Sequence, residues 1–331
     1  MIKSLVTGGA GFIGSHVADE LISMGHEVTV LDDLSGGFRE NVSRKAQLIV
    51  GNILDAPLID GLFKENEYNF VFHLAAYAAE GLSHFIKRFN YQNNLVGSVN
   101  LINASINCGT VKCFVFTSSI AVYGRNQIPM DEDMLPRPED PYGIAKLGVE
   151  QDLRESLEVF GLPHVIFRPH NVYGERQNIG DRYRNVIGIF LNQIMAAEEL
   201  TVFGDGTQTR AFSHVADVAP IIAKSIERSD AYNEIYNIGA DKPYSIIQLI
   251  EVISNAMGIH PKVKYLAARN EVLHAYSSHE KARRVFGDLF SNVPLEEGIR
   301  RMAAWAQKHG RRQPGRFSQI EVSKNLPEAW R

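Results

Sequence analysis

The sequence predicts an α/β protein with a Rossmann-type, doubly wound parallel sheet and a smaller C-terminal α/β region, on three observations. Short β-branched runs alternate with longer helical patterns through the first half of the chain. A glycine-rich turn joins the first run to the first helical pattern. An aspartate, Asp32, closes the second run.

The runs at residues 2–6, 27–31, 47–50, 70–74, 113–117 and 164–168 are the predicted strands. Between the first two, Phe12, Ile13, Val17, Leu21 and Met24 share a helical face, and Gly25 stands where a helix would end. That is the crossover of a βαβ unit. Beyond Asn171 the rhythm loosens into a loop at 175–185, a helix, runs at 200–204 and 210–215, and helices at 245–257, 279–286 and 295–309. Residues 1–171 are therefore expected to form the cofactor domain. Residues 172–331 should form mainly a substrate-covering region, with some elements returning to the first domain. The basic, polar stretch 308–324 is expected to be solvated or weakly ordered.

At 331 residues the chain exceeds the usual single core, and its 45% hydrophobic and 22% charged composition is that of a folded globular protein. A net charge of −4 argues against a general nucleic-acid binder, which needs a basic surface. Cys108 and Cys113 are too few for a disulfide framework and are expected to be packed thiols. The first strand starts too early to leave room for a signal peptide, and no apolar run is long enough to span a membrane, so a cytoplasmic address is expected. His73, His170 and His214 lack metal-ligand spacing, and no metal is expected.

Thr7-Gly8-Gly9-Ala10-Gly11-Phe12-Ile13-Gly14 follows the first strand and opens the first helix. Missing side chains there permit a tight turn and let the backbone approach a pyrophosphate at the helix N-terminus. Asp32 stands near the ~20-residue spacing at which an acid accepts hydrogen bonds from the adenosine ribose. A carboxylate there repels a 2′-phosphate, which favours NAD over NADP. Asn52, after the third strand, is placed to meet the adenine edge.

Tyr142 and Lys146 are four residues apart at the start of a predicted helix and so share a face. An ammonium there, together with an oxidised nicotinamide, would lower the phenol's pKa and make the tyrosine a general base. Upstream, Ser118 and Ser119 end a buried strand at the carboxyl edge of the sheet, where such folds bind ligands. Ser119 is the candidate for the substrate-facing hydroxyl, and turn formation or capping is expected for one of the two.

Together with His73-Leu-Ala-Ala76, Thr117-Ser-Ser-Ile-Ala-Val-Tyr-Gly124 and Arg168-Pro-His-Asn-Val-Tyr-Gly174, these motifs make the chain resemble the extended short-chain dehydrogenase/reductase family, nearest its UDP-glucose 4-epimerases. The resemblance runs from the first strand to about Phe286. It implies a catalytic set of Ser119, Tyr142 and Lys146. Its cofactor set comprises Gly8, Gly11, Phe12, Ile13 and Gly14, then Asp32, Asp33, Asn52 and Ile53. Leu74, Ala75, Ala76, Asn94 and Thr117 complete it, with Tyr142 and Lys146. Its substrate set is Ser118, Ser119, Asn171, Asn185, Val186, Thr201, Phe203, Arg210 and Arg269.

Ile120 and Ala121 stand where related 4,6-dehydratases carry an Asp-Glu pair, and neither can transfer a proton. The family's decarboxylases also place a glutamate at the second of these positions. What remains is 4-epimerisation of a nucleotide sugar or a plain dehydrogenase or reductase reaction, with a non-catalytic NAD-binding scaffold as the reading from outside enzymology. The family's gate for N-acetyl groups falls on Ala275 or, one residue on, Tyr276, with opposite consequences. Ala78 replaces a lysine that the best-known sugar epimerases hold near the pyrophosphate. A homodimer through helices near residues 94–107 and 142–160 is expected.

Overall fold

The computed structural model describes residues 1–268, 272–313, 317 and 319–330. The first part of the chain runs β1 (Lys3–Thr7), α1 (Phe12–Ser23), β2 (Glu27–Asp32), β3 (Gln47–Val50), α2 (Ala56–Asn66) and β4 (Phe70–His73). It continues through α3 (Glu80–Ser83), α4 (Lys87–Tyr91), α5 (Gly97–Cys108), β5 (Cys113–Thr117), α6 (Pro141–Phe160) and β6 (His164–Pro169). The six predicted strands are all present, each within a residue or so of its expected bounds.

The second part contains β7 (Val172–Tyr173), α7 (Val186–Met195), β8 (Leu200–Phe203), β9 (Thr209–Ala211), β10 (Ser213–His214), α8 (Ala219–Lys224) and β11 (Glu234–Ile238). β12 (Pro243–Ser245), α9 (Ile246–Met257), β13 (Val263–Leu266), β14 (His274–Ala275), α10 (Glu280–Phe286) and α11 (Leu295–His309) follow.

Seven strands form one parallel sheet in the order β11-β6-β5-β4-β1-β2-β3. The chain builds outward from β1 to β3, then crosses to β4 on the other side of β1. The crevice at the carboxyl ends of β1 and β4 is thus a topological switch point, where open α/β sheets bind ligands. Both faces of the sheet are covered, which is why its strands read as nearly continuous apolar runs. Val6, Val30, Phe72 and Val115 pack with α1 and α8 on one face. Leu5, Leu31, Val71 and Phe114 pack beneath α2, α5 and α6 on the other.

Two elements of the second part pack onto the first. β11 pairs with β6, Glu234 opposite Val165, and α8 packs on α1. A third apolar cluster, built by α7, α9 and α11, holds the smaller region together.

The stretch 308–324 is not a solvated end where it is described. Phe317 packs on Tyr77 and Phe89 with ring centres 5.4 and 4.9 Å away. Glu321 accepts hydrogen bonds from the Arg88 and Phe89 N–H groups at 2.8 and 2.9 Å. Further on, Trp330 is buried against Phe85 and Tyr183. A few apolar anchors scattered among basic residues carry no period, so composition alone concealed the docking. Cys108 and Cys113 are both free thiols, the second fully buried. Among the described residues no helix is long and apolar enough to cross a membrane.

Candidate active site

The glycine turn lies over the end of β1. Gly8 takes a φ of +71°, and a Cβ on it would come within 2.7 Å of the Ala75 backbone nitrogen at the end of β4. On Gly14 a Cβ would stand 2.2 Å from the Gly8 carbonyl oxygen. The turn and helix are therefore in backbone contact, which only missing side chains allow. Gly11 caps α1 without a side-chain acceptor, so the first N–H groups of the helix face the cleft for an anion.

Asp32 is buried beside this turn and accepts from the Ala10 N–H at 3.0 Å and the Leu34 N–H at 2.8 Å. Burial raises its pKa, against the pull of those donors. Thr117 lines the same cleft, and its Oγ1 is buried without a hydrogen-bond partner among the described residues. A backbone cradle, a buried acid at the end of β2 and an unsatisfied hydroxyl fit a dinucleotide that supplies the missing partners.

The cleft encloses about 580 Å³ and runs from the glycine turn to the smaller region. Of the expected cofactor residues, Gly8, Gly11, Phe12, Ile13, Gly14, Asp32, Asp33, Ile53, Leu74, Ala75, Ala76, Thr117, Tyr142 and Lys146 line it. Two expected residues have other partners. Asn52 donates to Asp33 at 2.9 Å and caps its own turn through Leu54, so its amide serves the loop rather than the cleft wall. Asn94 exchanges two hydrogen bonds with the Tyr77 backbone and donates to Asn90, which fixes the segment after β4. An asparagine's sequence context does not reveal which of these tasks it performs.

Asp140 caps α6 by accepting from the Gly143 N–H, and Pro141 stands at the first helical position. The helix buries Tyr142, Ala145, Lys146 and Val149, so tyrosine and lysine share the inward face. Lys146 Nζ donates to the Thr117 carbonyl at 2.7 Å and lies 5.8 Å from the Tyr142 ring centre. Burial brings its pKa down to about 7, with Glu150 opposing.

Burial and then Glu80 push the Tyr142 phenol up, while a hydrogen bond with Ser119 lowers it. The sequence-based expectation of a lowered phenol is thus not met by the chain alone. It requires further positive charge in the cleft.

Ser119 also accepts from the Ala121 N–H at 3.1 Å, so capping and proximity to Tyr142 coincide in one hydroxyl. Ser118 behaves differently. Although it borders the cleft, its hydroxyl donates to buried Glu150, which pairs bidentately with Arg168. Its hydroxyl proton is thus engaged within the wall.

At the other end Asn171, Asn185, Val186, Thr201, Phe203 and Arg210 all line the cleft. Asn171 and Asn185 have φ of 40° and 71°, and their amides bind the Ala211 and Val172 carbonyls. Arg210 donates to the carbonyls of Thr209, Val272 and Leu273. Arg269 lies outside the described residues. Ala275 lines the cleft opposite these groups, whereas the Tyr276 carbonyl is hydrogen-bonded to the Met130 N–H. In the register of β14 against β9, Ala275 stands opposite Arg210.

Sequence reasoning missed several lining residues, including Tyr77, Glu80, Gln177, Arg182 and Arg184. The Arg-rich loop at 175–185 was the signal for the last three. The family model for the NAD-dependent epimerase/dehydratase family matches residues 4–239.

The chain belongs to that family. Among relatives of this family, the UDP-glucose 4-epimerase of Haemophilus influenzae is 34% identical over 311 residues, covering 86% of this chain and 91% of its own. The structure of a Thermotoga maritima UDP-glucose 4-epimerase with UDP-glucose superposes with a TM-score of 0.88 at 34% identity, covering 93% of this chain and 99% of that one. A Bacillus cereus UDP-glucuronic acid 4-epimerase, solved with UDP-glucuronic acid and NAD, gives 0.86 at 27% identity, covering 93% and 100%.

Proposed function

We propose that this epimerase/dehydratase-family chain is an NAD-dependent 4-epimerase of UDP-linked sugars, interconverting UDP-glucose and UDP-galactose through a 4-keto intermediate. The observation that carries this reading is the Ser119, Tyr142 and Lys146 group on the cleft wall, with proton-inert Ile120 and Ala121 beside it. One base is enough for epimerisation, whereas elimination of water needs a further acid and base.

The chemistry supplied by bound NAD is reversible acceptance of a hydride from the sugar's C4. Tyr142 Oη removes the 4-hydroxyl proton and later returns it, so the chain ends each turnover in its starting protonation state. Ser119 holds the phenol's hydrogen bond and shortens the proton path. Lys146, fixed by the Thr117 carbonyl, places an amine donor at the foot of the cleft. Asn171, Asn185, Thr201, Phe203 and Arg210 form the wall for the UDP moiety, and Arg269 is assigned to the same end. Ala275 leaves room for a 2-acetamido group, which extends the substrates to UDP-GlcNAc and UDP-GalNAc.

The chain is further assigned to the cytoplasm and to a homodimer. α5 and α6 pack side by side, and Val96 and Ile144 are exposed beside them, which supports that pairing surface. A monomeric mass in solution at working concentration would remove it.

The deciding experiment incubates the purified chain, without added NAD, with UDP-glucose and separately with UDP-GlcNAc, and resolves the C4 epimers by proton NMR. Galacto-configured product is the expected result. An oxidised sugar that forms only with stoichiometric NAD, with an equivalent amount of NADH, would instead make the chain a dehydrogenase.

A further inference from the structure

Arg184 has no role in the reading above, yet its position in the cleft gives it one. Its Nε donates to Asp181 Oδ2 at 2.7 Å, and its guanidinium carbon lies 4.8 Å over the Tyr77 ring. Asp181 is itself held by the Tyr183 N–H at 2.9 Å. With one edge of the fork fixed in this way, ligand contact falls to the Nη groups. Nη2 reaches Gly36, lying 3.2 Å from where a Cβ on that residue would stand.

The Gly36–Gly37 loop in turn rests on the glycine turn. A Cβ on Gly37 would come 2.6 Å from the Ala10 carbonyl carbon and 2.8 Å from the Gly11 nitrogen, and Phe38 N–H donates to the Ala10 carbonyl at 2.9 Å. Tyr77 stands on the opposite side, just beyond Ala75, whose nitrogen a Gly8 Cβ would meet. The guanidinium therefore spans the mouth of the switch point from the 36–37 loop to the end of β4, above the N-terminus of α1. Asp32 and Asp33 make this half of the cleft acidic, and Ala78 brings it no charge. A dianionic diphosphate at the helix N-terminus needs a cation that offers directed donors, which a guanidinium supplies.

We infer that Arg184 is a cofactor-positioning residue that clasps the diphosphate of bound NAD from the loop of the smaller region, facing the glycine turn. The inference rests on the assignment of NAD to this cleft. It gives the diphosphate end of the cleft the directed positive charge that Ala78 does not bring. Tyr77 holds the guanidinium plane from below, and Phe317 of the C-terminal segment packs against Tyr77 in turn.

The test is calorimetric titration of NAD, ADP-ribose and adenosine into the full chain stripped of cofactor, at low and high salt. Arg184→Ala should bind NAD and ADP-ribose about 10- to 100-fold more weakly, the loss of a charge-assisted contact, with a shallower salt dependence. Adenosine binding should be unchanged. Arg184→Lys should fall between the two, since an ammonium keeps the charge and loses the fork. Ala78→Lys in the Arg184→Ala background should recover part of the affinity, because residue 78 lies on the same wall beside Tyr77. Wild-type affinity and salt dependence in Arg184→Ala would overturn the inference while leaving NAD in the cleft. A wild-type chain that binds no NAD would overturn the cofactor assignment, and the inference with it.

Discussion

Lys146 and Thr117 are joined by a hydrogen bond of 2.7 Å from the ammonium to the backbone carbonyl, made across the start of α6 to the last residue of β5. This bond ties the helix that carries Tyr142 to the strand that leads into Ser119, and so fixes the phenol relative to the sheet edge. Tyr142→Phe keeps that scaffold and removes only the proton carrier. Turnover of the epimerised sugar should fall by roughly 100- to 10,000-fold. NAD content, read by release and absorbance, should stay within a few-fold of wild type. Full turnover in this variant would exclude Tyr142 as the base.

The same burial that fixes Lys146 makes stability depend on pH. Burial brings its pKa down to about 7 from an ordinary value of 10.5, against the opposing pull of Glu150. Between those values the unfolded chain holds more protons than the folded one, so the Lys146 contribution makes the cofactor-free chain more stable as pH rises from about 7 towards 10. Below about 7 both states are protonated and the dependence levels off. Thermal unfolding across this range should show the rise in wild type and a flatter profile in Lys146→Met.

On the proposed assignment Asp32 meets the adenosine ribose and sets the choice of cofactor. Replacing it with glycine removes the carboxylate that would repel a 2′-phosphate, and should raise the ratio of NADP to NAD affinity in parallel titrations. Because its oxygens also accept from the Ala10 and Leu34 N–H groups, some loss of thermal stability should accompany the switch. An unchanged affinity ratio would place the ribose elsewhere.

On the proposed assignment Ala275 faces the sugar and limits its size. Ala275→Tyr should suppress epimerisation of UDP-GlcNAc far more than that of UDP-glucose, measured as the ratio of the two rates by NMR. Equal loss on both sugars would show general damage to the wall.

The C-terminal anchor is a matter of stability. Trp330 is 5% exposed and packs on Phe85, Tyr183 and the Gly81 backbone. Trp330→Ala should cost about 3–5 kcal/mol, as large aromatic truncations in cores do, seen as a lower denaturation midpoint. An unshifted midpoint would mean that this end is not anchored.

Legibility in the sequence followed the range of the interactions. The six β-branched runs and the glycine turn were readable because each is set by local pattern, and Tyr142 and Lys146 because helical spacing alone puts them on one face. The sequence points to Ser119 as the substrate-facing hydroxyl but not to the partner of Ser118, since Glu150 stands on another element. Asn94 and Asn52 likewise found nearby backbone and side-chain partners that residue type does not specify. β11 was hidden because Glu234 and Asn237 interrupt its apolar pattern. Their partners, Lys281, Tyr123 and the segment around Met130, lie far away in the chain. The docked tail was hidden for the same reason.

The return of β11 and α8 to the first sheet bears on how the chain comes off the ribosome. With residues 1–171 alone complete, β6 is an open edge and the α8-facing surface of α1, around Val17 and Leu21, is uncovered. Both are features that invite pairing with another chain. The covering elements end only at Ile238, and at ordinary elongation rates of 5–20 residues per second the exposed intermediate persists for roughly 3–13 s. The cofactor half of this protein therefore cannot be excised as an autonomous module at residue 171, and nascent chains stalled short of residue 238 are the species most prone to aggregate.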